Sequence, residues 1–78
     1  MTISEAYTNT FSLTGAIANA KDSAKQFSTR CVVYKNKETG RYFDSQAHIW
    51  RNYQSENPRL EYLGAVDTNL NWNPKATR

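Results

Sequence analysis

Apolar residues recur at three- and four-residue steps across Leu13–Phe27. Leu13, Ala16, Ile17, Ala20, Ala24 and Phe27 fall on one stripe, which predicts an amphipathic helix. Ser12 stands just ahead of it and can accept from a free backbone N–H of the first turn. Gly15 costs some helix propensity. Lys21, Asp22, Lys25 and Gln26 fall on the opposite side and face water. The stripe is built mostly from alanine, so the helix can lie close against a sheet.

The pattern then changes period. Residues 29–35, with Cys31, Val32, Val33 and Tyr34, read as a strand. Residues 36–40 read as a hairpin loop, with Gly40 suited to a positive φ, and residues 41–44 as the return strand. Asp44 or Ser45 is placed to cap a second helix over residues 46–56, with Ile49, Trp50 and Tyr53 as its buried stripe. Asn57-Pro58 ends it, because proline disfavours helical backbone in the residue before it. Residues 60–68 alternate as a last strand, and Leu60, Tyr62, Gly64 and Val66 are expected to face the helices. Residues 69–78 read as a flexible tail carrying one exposed aromatic, Trp72. Residues 5–11 are expected as an N-terminal arm or edge strand.

These elements give the order (β)-α-β-β-α-β. The expected fold is α+β: a small antiparallel sheet of three or four strands with two helices on one face. With the first strand in place it is the ferredoxin-like split βαβ pattern. The chain has 78 residues, enough for a single domain. A domain this small buries only about 60% of the surface its unfolded chain exposes, so its core is thin.

Composition narrows the function. The net charge is +3, and Lys and Arg are spread along the chain, which favours a solvated surface over a dedicated phosphate groove. The single cysteine, Cys31, allows no intrachain disulfide. The first ten residues have neither the basic nor the apolar region of a signal peptide, and no apolar run approaches membrane-spanning length. The expectation is a cytoplasmic protein that does not insert in a membrane.

Residues 32–53 concentrate aromatic and basic side chains, and the candidate chemistry lies there. A thiol nucleophile needs a thiolate beside an imidazole in a sheltered cleft. Cys31, His48 and Asp44 supply the residue types once each, but Cys31 lies mid-strand, where a small buried side chain is expected. One His and one Cys do not make a metal site. Asp44 and His48, one helical turn apart, read as an ordinary surface pair. The strand–helix junction Phe43-Asp44-Ser45 lacks the glycines of a phosphate-binding loop. No catalytic residue, metal or cofactor is expected, and the chain reads as a non-enzyme.

Two binding readings remain. Gly40-Arg41-Tyr42-Phe43 resembles the basic and aromatic third-strand motif of RNA-recognition modules, over four residues only. That resemblance implies single-stranded RNA or DNA on an open sheet face, through Tyr34 or Tyr42, with Lys35, Lys37 and Arg41 on the backbone. The broader expectation is a protein or ribonucleoprotein partner, since interfaces are enriched in Tyr, Trp and Arg. Its contact residues are expected to be Tyr34, Lys35, Lys37, Arg41, Tyr42, His48, Arg51, Asn52 and Trp72. The general build, small and without a catalytic constellation, resembles accessory proteins of phages and mobile elements. Among these are inhibitors of host defence complexes such as anti-CRISPR proteins.

Overall fold

The computed structural model describes residues 11–75. The elements run α1 (Leu13–Phe27), β1 (Cys31–Asn36), β2 (Tyr42–Gln46), α2 (Ala47–Ile49), a π-helical turn (Trp50–Gln54), β3 (Leu60–Val66) and β4 (Trp72–Pro74). All four strands pair antiparallel, in the order β2-β1-β3-β4. The α+β class and the antiparallel sheet are as the pattern predicts. The strand expected over residues 5–11 lies, except for Phe11, outside the described residues. The ferredoxin-like arrangement is not borne out, because that order leaves β1 at a sheet edge, whereas here β1 pairs with both β2 and β3.

Helix α1 forms as its pattern dictates. The Ser12 hydroxyl accepts from the Gly15 N–H at 3.0 Å, and Ser28 ends the helix at φ 50°, its N–H donating to the Ala24 carbonyl. Ala16, Ala20 and Ala24 are fully buried, while Leu13 and Phe27, the two end residues of the helix, stay exposed.

The two helical segments lie on opposite faces of the sheet, not on one. Cys31 and Val33 pack with Ala16, Ala20, Ala24 and Val66, whereas Val32 and Tyr34 pack with Ala47, Trp50 and Ala65. Strict alternation along β1 sends neighbours to opposite faces, and both faces carry apolar side chains. Strand β3 obeys the same geometry with one slip. Val33 pairs with Gly64 but Tyr34 pairs with Tyr62, so Leu63 is a bulge. The extra residue flips the parity. Leu60 and Tyr62 join the Trp50 side, while Leu63 and Val66 join the α1 side. The expected single face of Leu60, Tyr62, Gly64 and Val66 is therefore split in two.

The expected flexible tail contains β4. Asp67 organises the turn before it. Its carboxylate accepts from the Asn69 N–H at 2.9 Å, the Asn71 N–H at 3.0 Å and the Asn73 side-chain amide at 3.4 Å. The Asn71 N–H contributes most to holding this carboxyl below its ordinary pKa. Trp72, expected exposed in the tail, is half-buried against the α1 core. It fits there because Gly64 has no side chain. A Cβ on Gly64 would stand 2.7 Å from Trp72 Cη2 and 2.6 Å from the Asn73 carbonyl oxygen. Polar asparagines on both sides of Trp72 conceal a strand whose register is fixed by the Asp67 turn.

Gly64→Ala should therefore destabilise the protein by about 1–3 kcal/mol, the usual cost of overpacking. Urea denaturation followed by tryptophan fluorescence measures it. Wild-type stability in this variant would mean that the indole does not depend on the gap at Gly64.

Candidate contact surfaces

The second helix departs most from expectation. It starts at Ala47, whose N–H donates to the Arg30 carbonyl at 2.9 Å, with no side-chain cap. Asp44 and Ser45, the expected caps, lie in β2 opposite Val33 and Val32. After Ile49 the chain widens into a π-turn, closed by the Ser55 N–H donating to the Trp50 carbonyl at 2.7 Å. Each residue of a π-turn advances by less than the α-helical angle of about 100°. Gln54, and not Tyr53, thus comes under Trp50. The predicted buried stripe of Ile49, Trp50 and Tyr53 keeps only Trp50 inside. Trp50 is 1% exposed, Ile49 36% and Tyr53 80%.

Aromatic packing anchors this turn. The Trp50 ring lies 5.0 Å from Tyr34 and 5.8 Å from Tyr62, and Tyr34 lies 5.9 Å from Phe43. The Gln54 side-chain amide donates to the Tyr34 hydroxyl at 3.3 Å. Burial, partly offset by that bond, pushes the Tyr34 phenol above its ordinary pKa. Trp50 Nε1 and Gln54 Oε1 are buried without a hydrogen-bond partner. Each such atom costs about 1–3 kcal/mol, so packing of the surrounding rings holds the turn against that penalty. On the outer side His48, Arg51 and Asn52 are exposed beside Ile49 and Tyr53. A shallow cavity of about 270 Å³ runs along residues 51–57.

A second set of residues gathers at the β1–β2 hairpin end. Asn36 shapes the turn, its side-chain oxygen accepting from the Glu38 N–H at 2.9 Å and the Thr39 N–H at 3.3 Å. Gly40 takes φ 72°, as its residue type predicts. The Lys35 ammonium lies 5.6 Å from the Tyr42 ring centroid, and the Arg41 guanidinium lies 4.4 Å from that of Phe11. Glu38 pairs with Arg59 at 3.1 Å.

The structure therefore divides the nine expected contact residues. His48, Arg51 and Asn52 share the exposed π-turn face, while Lys35, Lys37, Arg41 and Tyr42 share the hairpin end. Tyr34, 9% exposed, belongs to the core beneath Trp50 and Gln54, and Trp72 belongs to the α1 core. Tyr42 and Phe43 point to opposite faces, as adjacent strand residues must. Sequence reasoning missed Tyr53 and Ile49 as surface groups and Phe11 as a partner of Arg41. The residue after Trp50 that returns inward depends on the turn type, and sequence periodicity carries no π signal.

The thiol and its neighbours are taken up by packing and hydrogen bonds. Cys31 is fully buried, and burial first, then the Asp44 charge, raises its pKa to about 11. Asp44 does not pair with His48. Its carboxylate accepts from the Ser23 hydroxyl of α1 at 3.0 Å. Burial raises the Asp44 pKa, with the Ser23 bond opposing. Among the described residues no three His, Cys, Asp or Glu stand together as metal ligands. No helix among them is long and apolar enough to cross a membrane. Comparison with protein-family models, curated proteins and solved structures finds no match to this chain.

Two measurements follow from the α1 side. Cys31 should react with iodoacetamide at pH 8 on the order of 100-fold more slowly in the folded protein than in urea, since the thiolate fraction falls with the raised pKa. Rapid alkylation of the folded chain would contradict its burial. The stability penalty of Asp44 has a fixed sign, because its folded pKa lies above the unfolded value of about 3.9. The protonated form carries no charge penalty below that value. Stability is then lost as pH rises through the folded pKa. Asp44→Asn can still accept from Ser23 and should gain stability relative to wild type as pH rises from about 4, levelling off above the folded pKa. Chemical denaturation at pH 4 to 8 tests this, and a pH-independent difference would refute it.

Proposed function

We propose that this chain is a non-enzymatic binding protein that docks on a larger macromolecular complex and inhibits or modulates it. The observation that carries this reading is Tyr53, 80% exposed on a turn whose neighbour Trp50 is 1% exposed. A large amphipathic ring is presented beside a buried aromatic anchor, and a tyrosine has only two side-chain torsions to fix on binding. Arg51, a residue type enriched at interface hot spots, stands near it with Ile49 and Asn52 exposed on the same segment. His48 extends the same face. The reading draws further support from Cys31, whose raised pKa leaves almost no thiolate at neutral pH.

Stacking of nucleic acid on an open sheet face, the competing expectation, finds less support. Tyr34 is occupied by Trp50, Phe43 and Gln54, and Tyr42 packs on the α1 side. The small build and the presented tyrosine suit an inhibitor encoded by a phage or mobile element and directed at a host defence complex. A bacterial lysate containing such complexes is therefore the natural place to look for the partner.

Affinity capture from that lysate at moderate salt should recover a stoichiometric protein partner. Tyr53→Ala should weaken that binding tenfold or more, by about 2 kcal/mol. Because the ring is exposed, the same variant should unfold within about 0.5 kcal/mol of wild type. No partner, or a partner held equally well by Tyr53→Ala, would overturn the reading.

A further inference from the structure

The turn that presents Tyr53 is wound wider than the short helix before it. The Ser55 N–H passes over the Arg51 carbonyl and donates to the Trp50 carbonyl at 2.7 Å. The Arg51 carbonyl accepts instead from the Ser55 hydroxyl at 3.0 Å. An α-helical continuation gives the Arg51 carbonyl to the Ser55 N–H and the Trp50 carbonyl to the Gln54 N–H. Ser55 can thus close either winding, with its N–H moving by one acceptor. The two windings present different side chains. Three α-helical steps total about 300° and bring Tyr53 back toward the side of Trp50. The shorter steps of the π-turn leave Tyr53 in solvent and carry the Gln54 amide to the Tyr34 hydroxyl.

Neither winding satisfies every group. The π-turn buries Trp50 Nε1 and Gln54 Oε1 without hydrogen-bond partners and leaves Tyr53 80% exposed beside Ile49. The α-helical winding returns the Gln54 amide to water and covers part of the Tyr53 ring. It also takes the Gln54 donor from the Tyr34 hydroxyl, which it now reaches at 3.3 Å. The costs oppose one another and are of the same kind. The flanks permit the change. The Ala47 N–H is fixed on the Arg30 carbonyl at 2.9 Å ahead of the turn, and residues 56–59 after it are exposed and lie outside helix and strand, so they can take up one residue of slack. We propose that residues 50–55 form a two-state element, with a major π register that presents Tyr53 and a minor α-helical register that withdraws it toward Trp50. The exchange belongs to the chain by itself. Its consequence rests on the docking role of Tyr53: a partner that grips the ring selects the π register, and its apparent affinity falls with the fraction of chains in the other.

The test is solution NMR on the isolated full chain. Backbone relaxation dispersion should show microsecond-to-millisecond exchange confined to the turn and the loop after it, with a minor population of about 1–10%. Couplings across hydrogen bonds read the acceptor of the Ser55 N–H directly, the Trp50 carbonyl in one register and the Arg51 carbonyl in the other. Gln54→Leu places an apolar side chain beneath Trp50, so it should lock the π register and abolish the dispersion. Gln54→Lys carries a charge that cannot lie there, so it should make the α-helical register the major one and move the Ser55 coupling to Arg51. A flat profile in wild type, dispersion unchanged by Gln54→Leu, or a folded Gln54→Lys whose Ser55 still couples to Trp50 would each overturn the proposal. Should Gln54→Lys not fold, wild type and Gln54→Leu decide the matter. Failure of wild type to capture a partner, with the exchange present, removes the docking role and leaves the two-state turn standing. A single register with capture intact does the reverse.

Discussion

Strand β1 is the shared wall of two cores. It buries Cys31 and Val33 against α1 and Val32 and Tyr34 against the Trp50 turn. It also pairs on both edges, with β2 and with β3. A strand covered on both faces must be apolar at every position, and the run CVVY meets that demand. With so few large aliphatic residues, the chain closes both cores by close approach. Alanines let α1 settle onto one face, and a single tryptophan with three other rings fills the opposite face.

That economy fixes what is left outside. Because Trp50 and Ala47 occupy the inner side of the second helical segment, the π-turn delivers Gln54 inward and Tyr53 to solvent. The aromatic packing leaves two buried polar atoms, Trp50 Nε1 and Gln54 Oε1, without hydrogen-bond partners. At the other end, the hairpin is tied to the 57–60 loop by the Lys37 N–H donating to the Arg59 carbonyl. The basic side chains of the turn can then project outward without loosening the sheet. The two candidate surfaces lie beside the two cores, one at the turn over Trp50 and one at the β1–β2 hairpin end.

Much of the fold was legible. The three- and four-residue spacing of α1, its Ser12 cap and the Gly40 turn are local features, and local chemistry decides them. The antiparallel hairpin and a last strand, expected over residues 60–68 and found at Leu60–Val66, followed from alternation. What escaped the pattern was non-local. The Leu63 bulge flips the faces of β3 without any change in composition. β4 exists because Gly64 leaves room for Trp72 and the Asp67 turn aims the chain back at β3, a pairing that neither segment announces alone. The contact set divided for the same reason. Lys37, Arg51 and Asn52 are exposed, whereas the fate of Tyr34 and Trp72 depended on which ring filled which core.

Sequence by itself determined the class of the fold, the helix, the hairpin and the structural place of Cys31 in an apolar strand. These follow from periodicity, capping and turn chemistry, which act over a few residues. Tertiary structure alone decided that the helices lie on opposite faces, that the tail returns as a strand, and that Tyr53 rather than Tyr34 is presented to solvent. The tail returns through the gap at Gly64 and the Asp67 turn, and alternation along β1 sets the helices on opposite faces. The split faces of β3 and the exposure of Tyr53 each come from a one-residue offset, the bulge at Leu63 or the widened turn after Trp50. Packing across the sheet selects that offset, and no pattern along the chain encodes it.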